Sequence, residues 1–183
     1  MANGDGRRGR FELPLALAGS AVLLGLLAFF SRDIHLTSEG NHPLVGKVAP
    51  NITYQLPNGE ATSLTHKRGK VYLLTFWASW CEPCMAEMPS LLALENHFAS
   101  RGFELLAFNI SESPDAMTGK LDTARMPRNL IYRFSKENLR PYDIGSLPLS
   151  VLVGRDGLVQ EVFLGPRNWA EIKYIKAIEE QLK

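Results

Sequence analysis

The sequence predicts an α/β domain, a mixed central sheet with helices on both faces, opened by an N-terminal β-hairpin and preceded by one transmembrane helix. Three observations predict it. From residue 71 onward, runs of β-branched, aromatic and aliphatic residues alternate with helical periodicity, the pattern of strands joined through helices. A hairpin pattern followed by an amphipathic helix closes the chain, so part of the sheet is antiparallel. A run of 19 uncharged residues, Leu13 to Ser31, stands apart from the rest.

That run forms a helix roughly 28 Å long, close to the hydrocarbon thickness of a bilayer. Arg7, Arg8 and Arg10 precede it, while Arg32 and Asp33 after it cancel. The cationic side stays cytoplasmic, which exports everything beyond the run. A cleaved signal peptide is the rival reading. It is disfavoured because the small-residue pattern Ala16-Leu17-Ala18 lies too early and the run ends in Ala28-Phe29-Phe30. Residues 1–12 are then a cytoplasmic N-terminus and 13–31 a membrane anchor. Residues 32–44 form a polar linker and 45–183 an exported domain.

The length of 183 residues suits one domain plus this appendage. The 45% hydrophobic and 21% charged composition excludes a disordered or collagen-like chain. A net charge of +1 provides no global field for nucleic acid. Beyond residue 34 there are 16 cations and 16 acids, so the chemistry of the exported part is local.

Ile52–Tyr54 and Glu60–Leu64 read as short strands around Pro57-Asn58-Gly59, a tight-turn sequence. Val71–Trp77 is an unbroken apolar and β-branched run, suited to a strand covered on both faces. Glu82–Ala99 has apolar residues near helical spacing, with a kink expected near Ala86 to Pro89. Phe103–Ile110 is a second buried strand and 113–124 a short helix. A short strand over Asn129–Phe134 and a helical turn over Ser135–Leu139 follow. Leu149–Val153 and Leu158–Leu164 form a hairpin about Asp156-Gly157. The last helix is expected over Asn168–Leu182, with Trp169, Ile172, Ile175 and Leu182 in its buried stripe.

Trp80-Cys81-Glu82-Pro83-Cys84 falls between the first buried strand and its helix. A cysteine at a helix N-terminus meets unpaired N–H groups and the positive end of the helix dipole, and both stabilise thiolate, the attacking species. Cys81 is therefore expected to be the exposed nucleophile and Cys84 the buried resolving thiol. Pro83 in the first turn needs no N–H partner. A structural disulfide, two core thiols and a zinc half-site are the competing readings. Zinc needs two more ligands, and neither His66 nor His97 is at knuckle spacing.

Phe76-Trp77-Ala78-Ser79-Trp80-Cys81-Glu82-Pro83-Cys84-Met85-Ala86-Glu87-Met88-Pro89 resembles the active-site signature of membrane-tethered, thioredoxin-like reductases, the TlpA, ResA and CcmG (DsbE) relatives. The resemblance continues in Val45–Pro50, in Gly145–Pro148 with the strand after it, and in Gly165–Trp169. It implies a thioredoxin-like fold with Leu147–Pro148 cis and facing the cysteines. It implies a substrate groove bordered by Trp80, Glu82, Pro83 and Leu147. The activity implied is protein disulfide reduction through a Cys81–Cys84 pair, with no other cofactor and no metal. Apocytochrome c is the first substrate implied, and copper-site assembly proteins the second. The electron source implied is a transmembrane reductant of the DsbD/CcdA type.

Thr75 stands where thioredoxins carry a buried Asp. Glu87 matches a Glu that the tethered reductases place beneath the active site, where it shuttles a proton to or from Cys84; spacing alone fits a solvated helix face equally well. CcmG relatives carry Glu after the cis proline and this chain has Leu149, which leans toward the TlpA/ResA group. A thiol peroxidase would need Thr three residues before Cys81, where Ala78 stands. A metallochaperone or holdase is a further class; copper chaperones of similar fold space their two Cys by three residues rather than two.

Overall fold

The computed structural model describes residues 42–111, 122 and 125–183. The expected anchor at 13–31, nearly all of the linker and the expected helix at 113–124 lie outside these residues. Among the described residues, no helix is long and apolar enough to cross a membrane.

Strand β1 (Thr53–Gln55) and β2 (Ala61–Ser63) pair antiparallel in the expected hairpin. Its turn closes through Gly59 N–H donating to the Leu56 carbonyl at 2.9 Å. Gly59 has φ 85°, in the left-handed region where a side chain is strained. Strand β3 (Val71–Trp77) is buried along its whole length, as its composition demands. It runs parallel to β4 (Phe103–Asn109) and antiparallel to β6 (Leu149–Val153). Strand β5 (Leu130–Ile131) adds to β4, and β7 (Val159–Leu164) to β6, giving the order β5-β4-β3-β6-β7.

The period-2 alternation of β3 divides the core. Val71, Leu73 and Trp77 face a cluster that holds residues of both described α-helices, α1 (Glu82–Phe98) and α2 (Ile172–Leu182). Tyr72, Leu74 and Phe76 face a second cluster. No described α-helix contributes to it. It is filled by the hairpin, the Leu44–Ile52 segment and a 3-10 helix at Lys136–Tyr142. The packed domain already includes Leu44, which sequence reading left in the linker. Phe108 is central to this second layer, with ring centroids 5.4 Å from Tyr54, 5.6 Å from Phe76 and 5.5 Å from Phe134. Phe108→Ala is expected to cost roughly 3–5 kcal/mol in urea unfolding. It lies on the sheet face away from the cysteines, so the folded fraction should retain disulfide exchange.

Three elements differ from expectation. The strand expected over 129–134 is reduced to β5 plus a single bridge from Phe134 to Tyr54. The turn expected at 135–139 extends to Tyr142 and ends at Asp143, a non-glycine residue with φ 46°. The final helix starts at Ile172 instead of Asn168. Asn168 Oδ1 accepts from Ala170 N–H at 3.3 Å, and the Asn168 carbonyl from Glu171 N–H at 3.0 Å. These local bonds hold the chain in a turn. Trp169 is buried from that turn, while Ile172 is exposed; Tyr174 and Ile178 are the fully buried positions of α2.

Candidate active site

The chain leaves the buried end of β3 at Trp77 and enters α1 within four residues. Cys81 is the N-cap of α1, with φ −84° and ψ 96°, and its sulfur accepts from Cys84 N–H at 3.2 Å. One of the unpaired donors at a helix start is thus satisfied by sulfur, the geometry that favours thiolate. Pro83 occupies the first turn, where no donor is required. Cys81 and Cys84 form a disulfide, with Cα atoms 5.3 Å apart.

Cys84 is fully buried and Cys81 is 4% exposed. The expected order of access holds, but the expected open exposure of Cys81 does not. In the oxidised form its sulfur is bonded inward and joins the apolar cluster beneath α1, against which Leu147 also packs. The surface around it comes from Trp80, Glu82 and Pro83, all exposed. Trp80 is 69% exposed yet anchored, its indole Nε1 donating to Ser111 Oγ at 2.8 Å. Ser111 N–H donates in turn to the buried Asn109 Oδ1 at 3.0 Å.

Leu147–Pro148 is a cis peptide bond. Leu149 pairs with Phe76, so Pro148 falls level with Trp77 at the end of β3, from which the cysteine turn departs, and Leu147 lies beyond it. The Pro148 carbonyl accepts from Gly165 N–H at 3.0 Å, which ties this loop to the residues leading into α2.

Glu87 lies one turn beyond Cys84 and is 3% exposed, so it is not on a solvated helix face. Its Oε2 accepts from Arg167 N–H at 3.1 Å and from Trp169 Nε1 at 3.3 Å. Its Oε1 has no partner at hydrogen-bonding distance and angle. Burial pushes the carboxyl up to about 7, against the opposing pull of those two donors, the Arg167 charge and the Thr75 hydroxyl. Sequence reading missed these partners: Arg167 and Trp169 lie 80 and 82 residues downstream. The lead-in Gly165–Trp169 is the available signal, but Trp169 also fits the helical spacing of the stripe expected over Asn168–Leu182.

The raised value has a consequence for stability. Between 4.5, where the carboxyl titrates when unfolded, and about 7, the folded chain holds a proton that the unfolded chain has released. Stability is therefore full below 4.5 and falls as pH rises through about 7, by up to roughly 3 kcal/mol. Glu87→Gln lacks this proton. Its stability relative to the parent should rise by that amount between pH 4.5 and 8, read from urea unfolding at both pH values. An unchanged difference would mean that Glu87 titrates normally in the folded chain.

The Redoxin family profile matches residues 44–178. The chain is 32% identical over 120 residues to the thiol-disulfide oxidoreductase ResA of Bacillus subtilis, covering 66% of this chain and 67% of that protein. It is 28% identical to the ResA of Geobacillus kaustophilus over 84% of this chain and 90% of that one. Among solved structures it is similar to a thiol:disulfide interchange protein of Chlorobium tepidum described as DsbE. The TM-score is 0.65 and the identity 27%, over 76% of this chain and 98% of that one. StoA of Bacillus subtilis shares the fold, with a TM-score of 0.57 over 75% of this chain and 98% of that one, at 22% identity.

Proposed function

We propose, from the premise that this chain belongs to the Redoxin family and is a ResA/DsbE-like thiol-disulfide oxidoreductase with a thioredoxin-like fold, that it reduces protein disulfides on the outer face of a bacterial inner membrane. The observation that carries the exchange chemistry is the Cys81–Cys84 disulfide at the start of α1, with the buried carboxyl of Glu87 one turn beyond the resolving thiol.

The reaction has two exchanges. Cys81 thiolate attacks one sulfur of the substrate disulfide, and the other leaves as a thiol once protonated. Cys84 passes its proton to Glu87, and its thiolate attacks Cys81 Sγ. The substrate's second sulfur departs as a thiolate and takes up the proton held by Glu87, and the Cys81–Cys84 disulfide forms. Two electrons pass to the substrate, and its two sulfurs take up two protons, one that began on Cys84 and one from solvent, which also holds the proton Cys81 released on ionising. The dipole of α1 favours the leaving Cys81 thiolate in the reverse direction as well, so the reducing sense depends on the donor. A transmembrane reductant of the DsbD/CcdA type supplies it.

The substrate segment lies in the groove of Trp80, Glu82, Pro83 and Leu147, beside Pro148. Apocytochrome c, with its Cys-x-x-Cys-His segment, is the substrate assigned here, and copper-site assembly proteins rank second. Residues 13–31 span the membrane, with Arg7, Arg8 and Arg10 holding the N-terminus inside.

The test is to mix the reduced full-length protein with an oxidised Cys-x-x-Cys-His peptide and follow both thiol pools to equilibrium. Net reduction of the peptide is expected; net oxidation of the reduced peptide by the disulfide form would reverse the assigned direction. Alkaline extraction of host membranes should leave the chain in the pellet, and its release would remove the anchor.

A further inference from the structure

Beneath α1 lie two buried hydroxyls that the disulfide chemistry does not itself require. Thr75 in β3 and Ser150 in β6 are directly paired across the antiparallel ladder. Thr75 is 0% and Ser150 2% exposed, and Ser150 Oγ donates to Thr75 Oγ1 at 2.9 Å. Strand alternation fixes which way they point. Thr75 shares a face with Leu73 and Trp77, and Ser150 with Leu152, the face on which Cys84 and Met88 of α1 are packed. Their neighbours Leu74, Phe76, Leu149 and Val151 belong to the opposite face. A hydroxyl pair in an apolar layer costs free energy unless it has a polar partner, and β-sheet positions of this kind are ordinarily filled by Val or Ile. On the same face, Glu87 Oε1 is buried without a well-formed hydrogen bond.

We infer that Thr75 and Ser150 form a positioning pair for Glu87: the Ser150 proton occupies a lone pair of Thr75 Oγ1, which leaves the Thr75 proton to be donated to Oε1 of the ionised carboxylate. Ser150 thereby selects the Thr75 rotor that serves Glu87. The pair supplies the carboxylate with a third donor beside Arg167 N–H and Trp169 Nε1, and it favours the charged form, as the influence of Thr75 on that carboxyl indicates. The consequence for catalysis rests on the proton-transfer role proposed for Glu87, whereas the hydroxyl-to-carboxyl contact does not.

The experiment uses the oxidised full-length chain in detergent micelles, where Cys81 and Cys84 carry no titrating thiol. The other charged group acting on Glu87 is Arg167. The carboxyl carbon of Glu87 is followed by NMR against pH in protein carrying 13C-glutamate, its signal assigned by loss in Glu87→Gln. Thr75→Val should move the midpoint up by about one pH unit, the scale of a hydrogen bond to a charged group. Thr75→Ser keeps the hydroxyl and should stay within about a third of that shift from the parent. If Thr75→Val does not yield folded protein, Thr75→Val/Ser150→Ala removes both hydroxyls together and is expected to give the same upward shift. A midpoint that is unmoved or lowered in the hydroxyl-free variant overturns the inference. So does a Thr75→Ser shift as large as that of Thr75→Val, since packing would then be the cause. Failure of Glu87→Gln to alter thiol exchange would leave this midpoint shift intact and count only against the proton-transfer role.

Discussion

Cys84→Ser is expected to stop exchange halfway. The remaining Cys81 still caps α1, so the N–H groups of the helix start still face its sulfur. It attacks the substrate and forms the mixed disulfide. The serine hydroxyl cannot displace a sulfur at neutral pH, so the adduct persists. Turnover is lost, and a substrate-sized adduct should accumulate on non-reducing gels and vanish with dithiothreitol. Cys81→Ser also loses turnover, but the buried Cys84 should give no comparable adduct. Alkylation of the reduced parent, mapped by mass spectrometry, should label Cys81 first. Faster labelling of Cys84 would exchange the two roles.

Glu87→Gln should separate the two exchanges. Removing a negative charge next to the thiols stabilises thiolate, so alkylation of Cys81 shifts to lower pH. The second exchange loses its proton acceptor, and turnover at neutral pH should fall about ten- to a hundredfold. In the parent, that second exchange rises with pH as the carboxyl ionises around 7, because only the ionised form can accept a proton. The three groups titrate as a set, so the apparent values in the reduced protein belong to the set. Superimposable pH profiles for parent and variant would place the proton route elsewhere.

The architecture was legible where composition left one choice. The runs at 71–77, 103–109 and 149–153 are rich in β-branched, aromatic and aliphatic residues, with only Glu104, Asn109 and Ser150 outside those classes, and each is a strand. Legibility failed where one side chain competed with periodicity. Trp169 satisfies a helical repeat, but the Asn168 side chain keeps that segment in a turn. The cysteine pair was legible from its spacing and its place before a helix. The burial of Glu87 was not, because position i+3 from Cys84 fits a wet or a dry helix face equally. What decides between them is a loop 80 residues away folding over the carboxyl, a long-range fact with no local trace.

The segment leading into the domain also determines whether the sheet can recruit foreign strands. Gly46 N–H donates to the Val159 carbonyl at 2.8 Å, Val159 N–H to Lys47 at 2.8 Å, and Ala49 N–H to Gly157 at 2.9 Å. These bonds occupy the start of the outer margin of β7. At the opposite margin, Gln55 N–H donates to Arg133 and Ser135 N–H to Thr53, so the hairpin occupies the chain just beyond β5. An open row of amides and carbonyls is a template for intermolecular pairing. Cutting the chain back to Asn51 would strip one of these two guards while leaving the cysteine turn untouched. Such a truncation should retain its thiol chemistry when dilute and form oligomers by strand pairing when concentrated, detectable as a concentration-dependent shift in sedimentation.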